Sequence, residues 1–279
     1  MSEMKHTGAT QQRLKAAEEA EGRGRLTELR QQLYGAATRQ MLEAAHLRPG
    51  DHVLDITAGT GDQSRQAARL VGPGGSVLAT DIEQEMLNVA ARFARQEGLS
   101  NITTRAMNAG QLDLPHNSYD AVISRLGLML IPRQHQALTE IRRVLKPGGR
   151  LAALVWSKPE RNPLFTLYEE ILANSLKAKE VEEQWVDPFS LADAALFANA
   201  LAEAGFQEVQ VQAIALIFQF PSFEALTTWW GPDYDEAMAR LEPELRQRTQ
   251  AKVRQAVREF EGPQGIVAPA ELLLGIGMK

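Results

Sequence analysis

The sequence predicts a three-layer α/β sandwich: a seven-stranded, mostly parallel sheet with one antiparallel strand, flanked by helices and carrying a helical cap. Three observations predict it. Short apolar runs alternate with amphipathic stretches between residues 52 and 156, the pattern of parallel strands joined by helical crossovers. A glycine-rich turn, Thr57-Ala58-Gly59-Thr60-Gly61, follows the first of those runs. Beyond Trp156 the alternation gives way to longer helical stretches and closes on an apolar run near the C-terminus.

In chain order, residues 1–22 are polar and alanine-rich without an apolar stripe, and read as a frayed arm or an exposed helix. Leu26, Leu29, Leu33, Ala37, Met41, Leu42 and Ala45 then recur at helical spacing, predicting an amphipathic helix or helix pair. Residues 52–56 form the first strand, followed by the glycine turn and a helix through Leu70, and Gly72-Pro73-Gly74-Gly75 breaks the chain. Residues 76–80 are a second strand ending at Asp81, and residues 83–96 a helix expected to bury Met86, Leu87, Ala90 and Phe93. Residues 102–105 and 119–124 read as strands three and four. A helix over 136–145 is stopped by Pro147-Gly148-Gly149 before a fifth strand over 150–156. Right-handed crossovers place the C-terminal ends of such strands on one edge of the sheet.

The remainder is mostly helical over 157–205, alternating over 207–218 as one or two strands, and helical again over 222–260 with a Gly231-Pro232 break. Residues 266–278 are the expected antiparallel closing strand. Helices within 20–45, 160–190 and 222–260 are expected to cap the strands' C-terminal edge. This divides the chain into an N-terminal helical arm (1–45), a ligand-binding core (46–156), and a C-terminal part (157–279) that completes the core and carries the cap insertions.

Composition narrows the function classes. The 279 residues are 44% hydrophobic and 23% charged, with a formal net charge of −5, ordinary for a globular chain. A phosphate-neutralising basic stripe is missing from the sequence, Arg142-Arg143 being only a short pair, which argues against a nucleic-acid partner. The chain has no cysteine, which removes disulfides, thiolate metal sites and thiol nucleophiles; no metal is expected. Neither an apolar leader core nor a long apolar run is present, so a cytoplasmic location without membrane insertion is expected.

Glycines in the turn let a ligand approach the backbone closely, and such a turn at the C-terminal edge of an open α/β sheet is where nucleotides bind. The third glycine of the dinucleotide fingerprint would fall at Ser64, which disfavours a nicotinamide cofactor. Asp81 stands 20 residues after Gly61, at a strand end, where its carboxylate can accept hydrogen bonds from two ribose hydroxyls; capping the helix that follows is the alternative role.

Four segments in register, VLDITAGTGD, LATDIEQEML, NAGQLDLPHNSYDAVISRLGLMLI and EIRRVLKPGGRLAALVW, resemble the Rossmann-like class I methyltransferases that use S-adenosylmethionine. The likeness is strongest to the branch of ubiquinone/menaquinone-biosynthesis and small-molecule enzymes; it covers residues 48–156 and extends weakly to AEAGFQEVQV. It implies S-adenosylmethionine as cofactor and S-adenosylhomocysteine as product. It also implies that Asp55 and the turn Thr57, Ala58, Gly59, Thr60 and Gly61 hold the methionine end, and that Asp81 binds the ribose. Ile82 and Met86 would pack near the adenine, Asn108 and Ala109 would meet its edge, and Ser124 and Arg125 would line the sulfonium side. Two positions depart from the pattern: Thr57 replaces a frequent glycine and adds bulk, and Asn108 replaces the usual acid, although an amide oxygen still accepts a hydrogen bond.

Methyl transfer from a sulfonium depends chiefly on alignment, so no catalytic residue announces itself. Arg125, at a strand end, is the best-placed side chain, with Tyr34 and Glu160 behind it; His46, His116 and His135 show no partner in the sequence. Leu126 and Met129 after the fourth strand, with Trp229, Trp230 and Tyr234 in the cap, either wall an apolar substrate pocket or pack the cap onto the core. The expected acceptor is a small apolar or aromatic metabolite, with homodimerisation left open. The Ser124-Arg125-Leu126-Gly127 segment differs from the Asn-Pro-Pro-Tyr of adenine and glutamine-amide methyltransferases. Methylation coupled to cyclisation, and a non-catalytic cofactor-binding protein, are the rival readings.

Overall fold

Five parallel strands, β1 (His52–Ile56), β2 (Ser76–Asp81), β3 (Ile102–Ala106), β4 (Tyr119–Arg125) and β5 (Leu145–Trp156), form the core of one sheet. The computed structural model of the chain describes residue 26, residues 28–177 and residues 186–279. The expected arm over 1–22 and part of the 160–190 cap lie outside the described residues. β6 (Gln207–Phe220), β7 (Glu261–Gly262) and β8 (Gly265–Met278) complete the sheet. The order is β3-β2-β1-β4-β5-β8-β6, with β7 paired to β8. β8 is antiparallel to β5 and β6, as the closing strand was expected to be; the two-residue β7 is an eighth strand that the sequence did not signal.

The order places a reversal at β1, because the chain winds from it to β2 and β3 on one side and to β4 and β5 on the other. The crevice at such a switch point, beyond the carboxyl ends of β1 and β4, is where open α/β sheets bind ligands. Val53, Leu54 and Ile56 of β1 are buried, as expected of a central parallel strand covered on both faces.

Nine helices are described: α1 (residues 28–44), α2 (Asp62–Val71), α3 (Gln84–Gln96), α4 (Gln134–Val144), α5 (Pro163–Lys177), α6 (Ala194–Glu203), α7 (Phe223–Trp230), α8 (Pro232–Arg240) and α9 (Pro243–Val257). None is long and apolar enough to cross a membrane among the described residues. Asp193 caps α6 by accepting from the N–H groups of Ala195 and Leu196 at 2.9 and 3.3 Å, and Ser222 caps α7 through the N–H of Ala225 at 3.2 Å. Gly231, at φ 81°, turns the chain between α7 and α8, where the sequence placed its break.

Residues 207–220 form a single strand, one of the two arrangements expected there. Two local expectations are corrected. Pro147-Gly148-Gly149 does end α4, but β5 already begins at Leu145; the register slips between the Tyr119 and Ala121 pairings to absorb the turn at Gly148, φ 78°. α3 buries Leu87, Val89, Ala90 and Ala94, whereas Met86 is 44% exposed and Phe93 only partly buried. Met86 lies in the first turn of α3, close in the chain to the end of β2.

Candidate cofactor and acceptor site

β1 ends at Ile56, and the chain turns into α2 through three residues in the left-handed region: Thr57 (φ 56°), Gly59 (φ 55°) and Gly61 (φ 72°). Glycine carries that conformation without a Cβ penalty. At Gly61 a Cβ would also stand 2.8 Å from Ala90 Cβ, so the turn packs directly on α3. Ala58 N–H donates to Thr80 O at 2.9 Å, and Gly59 N–H donates to Asp81 Oδ2 at 2.9 Å. Asp81 Oδ1 accepts from Glu83 N–H at 3.0 Å. Asp81 is thus fastened to both the turn and the start of α3, while α3 itself has no side-chain cap.

Beside Asp81 two apolar side chains stand in the open, Ile82 at 70% and Met86 at 44% exposure. Past β3, Asn108 Oδ1 accepts from Gly110 N–H at 2.8 Å, and Ala109 is buried beneath it. That turn leaves the Asn108 amide N–H groups and one oxygen lone pair available at the sheet edge.

Under the turn, Asp55 is fully buried. Its carboxylate accepts from Ser64 Oγ, and from Gln63 Nε2 at 3.2 Å. Burial pushes its pKa up to about 7, against the pull of those two hydrogen bonds. Asp55 does not line the cavity described below; it holds the base of the turn.

On the β4 side, Ser124 Oγ lies 3.0 Å from Thr57 Oγ1 and is buried. A Cβ at Gly127 would overlap the Thr57 side chain. The bulk that Thr57 brings in place of a glycine is therefore taken up by the missing side chain of Gly127. Arg125 donates from Nη1 to Asp62 Oδ2 at 2.7 Å and to Thr38 Oγ1 at 2.9 Å, and its guanidinium stands 5.8 Å from the Tyr34 ring centroid. Arg125 thereby ties α1 to the start of α2 through a buried ion pair.

A cavity of about 330 Å³ opens between these elements, within the usual size of a small-molecule site. Thr57, Ala58, Gly59, Thr60 and Gln63 line one side, and Trp156, Phe165, Tyr168, Trp229 and Trp230 line another. Trp156 and Phe165 stack at 4.3 Å between centroids. Tyr34, also on the wall, accepts a hydrogen bond from Trp229 Nε1 at 2.9 Å. Burial pushes its phenol up to about 12, so the hydroxyl stays protonated at neutral pH.

About half of the residues singled out in the sequence line this cavity; Gly61, Asp81, Ile82, Met86, Asn108, Ala109 and Ser124 do not. Leu126, Met129, Trp229, Trp230, Tyr34 and Arg125 line the cavity. Tyr234 does not; it packs behind the wall, 5.1 Å from Trp230. Glu160 sits exposed on a one-turn helix after β5 and does not line the cavity, nor do the exposed His46, His116 and His135. Gln63, Trp156, Phe165 and Tyr168 were missed. Trp156 carried a signal, an aromatic residue closing a strand on the ligand-bearing edge; Phe165 and Tyr168 carried none beyond helical spacing.

The ubiE/COQ5 methyltransferase family matches residues 33–217. Over 132 residues the chain is 41% identical to a ubiquinone/menaquinone biosynthesis C-methyltransferase from Pseudomonas aeruginosa, covering 47% of this chain and 52% of that protein. The match thus spans about half the length of such relatives. In fold it is similar to YcgJ from Bacillus subtilis, with a TM-score of 0.59 and 21% identity over 88% of this chain and 98% of the other. It is also similar to the cyclase SpnF, with a TM-score of 0.52 and 22% identity over 87% and 79%.

Proposed function

The chain belongs to the ubiE/COQ5 methyltransferase family, and from that premise we propose that it transfers the methyl group of S-adenosylmethionine to a small apolar or aromatic acceptor held beneath its helical cap. The observation that carries this reading is one cavity with two kinds of wall: the Thr57–Thr60 turn on one side and stacked aromatic rings on the other. A methyl donor lying along the turn would present its reactive end to an acceptor among the rings.

The residues fit the cofactor. Space is open where a Gly59 Cβ would stand, so a ligand can lie against the turn. Asp81 keeps a lone pair on each carboxylate oxygen for the ribose hydroxyls. Ile82 and Met86 offer exposed apolar surface for the adenine, and Asn108 offers an amide to its edge. Asp55 supports the turn from below through Ser64 and Gln63.

When bound, S-adenosylmethionine supplies an already activated methyl group. The protein's task is then alignment and exclusion of water. Trp156, Phe165 and Trp229 provide flat apolar walls, and Tyr34 provides a neutral hydroxyl whose orientation is set by Trp229. Arg125, engaged with Asp62 and Thr38, acts as a clasp between α1 and the turn, with its charge already paired.

The test is transfer of a labelled methyl group to a panel of hydroxylated aromatic, quinol and aliphatic acceptors, with product mass recorded. One acceptor gaining a single methyl group supports the reading. Cofactor binding with no transfer to any member, or an isomerised product of unchanged mass, would overturn it.

A further inference from the structure

The cavity wall beside the turn contains one polar group that the fold leaves without a donor. Gln63, the second residue of α2, is buried yet lines the cavity. Its Nε2 donates to Asp55 Oδ1 at 3.2 Å and to Ala58 O at 3.3 Å. A backbone carbonyl can only accept, so nitrogen must occupy that side of the amide, and both of its hydrogens are spent on the protein. What remains is Oε1, an acceptor only. Among the described residues no group donates to it, and it is not among the side-chain atoms sealed from solvent without a partner. It therefore opens on the cavity.

A buried acceptor in such a position calls for a donor from the ligand. The amide is also polarised: the Asp55 carboxylate lies behind its nitrogen end, which concentrates negative charge on the oxygen that faces the cavity. Of the two cations on the cavity wall, Arg30 and Arg125, Arg125 is already paired with Asp62 at 2.7 Å, and neither donates to Gln63 Oε1 among the described contacts. A ligand ammonium fits this acceptor better than a neutral donor.

We propose that Gln63 Oε1 receives the ammonium of the bound cofactor's amino-acid portion, and that Asp55 reaches that ammonium only through the Gln63 amide. This rests on the cofactor reading given above. Asp55 is then a positioning residue and Gln63 the contact.

The experiment is calorimetric titration of the full chain, wild type and Gln63→Met, with S-adenosylmethionine, S-adenosylhomocysteine and 5′-methylthioadenosine. The last keeps the adenosine and sulfur but has no amino-acid portion. In Gln63→Met, affinity for the first two should fall alike, by roughly ten- to a hundredfold, the worth of a hydrogen bond to a charged group. Affinity for 5′-methylthioadenosine should hold, which also reports that the turn is intact. Equal loss for all three ligands, loss confined to the sulfonium compound, or no loss would each overturn the proposal. Ser64→Ala removes the other donor to Asp55 without touching Oε1, and should leave the ratio of S-adenosylhomocysteine to 5′-methylthioadenosine affinity unchanged; a fall like that of Gln63→Met would assign the effect to the turn and overturn the proposal. A wild-type chain that binds none of the three ligands would instead refute the cofactor reading itself.

Discussion

The backbone N–H of Gly59 donates to Asp81 Oδ2 at 2.9 Å, so the turn after β1 is fastened to the carboxylate that closes β2. These two residues lie 22 positions apart in the chain, one in the turn that follows β1 and the other at the end of the neighbouring strand β2. The contact orients the carboxylate and shapes the turn together, so a ligand that uses both meets a site already in place.

Asp81→Ala should weaken S-adenosylmethionine binding by roughly a hundredfold or more, because two charge-assisted hydrogen bonds to the ribose are lost at about 1.5–3 kcal/mol each. The substitution also frees the N–H groups of Gly59 and Glu83, so the thermal midpoint should fall modestly while the chain stays folded. Equilibrium dialysis beside a thermal melt checks both; near-normal affinity in a folded variant would remove the ribose role.

Thr57 and Gly127 should behave as a coupled pair. Gly127→Ala drives a methyl group into the Thr57 side chain and should lower stability by about 1–3 kcal/mol. Thr57→Gly opens that space and relieves a β-branched residue at φ 56°. The double substitution should recover most of the loss in a urea titration, and independent, additive effects would contradict the packing described.

Much of this was legible in the sequence because the turn, Asp81 and the closing strand are local patterns. Glycines adjoin a strand end, a carboxylate ends the next strand, and an apolar run ends the chain. The aromatic wall of the cavity was half legible. Trp229 and Trp230 stood out as a pair, but Tyr34 meets Trp229 across 195 positions, a contact that tertiary folding alone creates. Helical periodicity takes any apolar residue on a helix for core, so it assigned Met86 to the interior although the first turn of α3 leaves it 44% exposed. It cannot separate Trp230, on the cavity wall, from Tyr234, which packs behind it in α8 beyond the Gly231 break. Gln63 was overlooked because its neighbours Asp55 and Ala58 declare its role only once the turn is folded.

Asp55 should make stability fall as pH rises. Its folded pKa of about 7 lies above the ordinary carboxyl value near 3.8, so the native state binds the extra proton. The stabilisation is complete below about pH 4 and is lost as pH climbs through about 7. Asp120 and Glu140 are held below their ordinary values by Lys146, by Arg143 and by backbone N–H groups. Their contributions change only under about pH 5, below the range in which Asp55 titrates in the folded chain. Denaturation midpoints should decline across that window in the wild type, by a few kcal/mol at most. They should decline less in Asp55→Asn; parallel slopes would contradict the assignment.

The Tyr34–Trp229 hydrogen bond should join α1 to α7 energetically. A double-mutant cycle with Tyr34→Phe and Trp229→Phe should give a coupling of about 1 kcal/mol in denaturant unfolding. A coupling near zero would mean that the cap is held by apolar contact alone.

The most direct measurement is calorimetric titration of the folded full-length chain with S-adenosylhomocysteine. The account predicts saturable binding of one molecule per chain, largely abolished by Asp81→Ala. A flat titration at millimolar ligand, with circular dichroism showing a folded α/β protein, would contradict it.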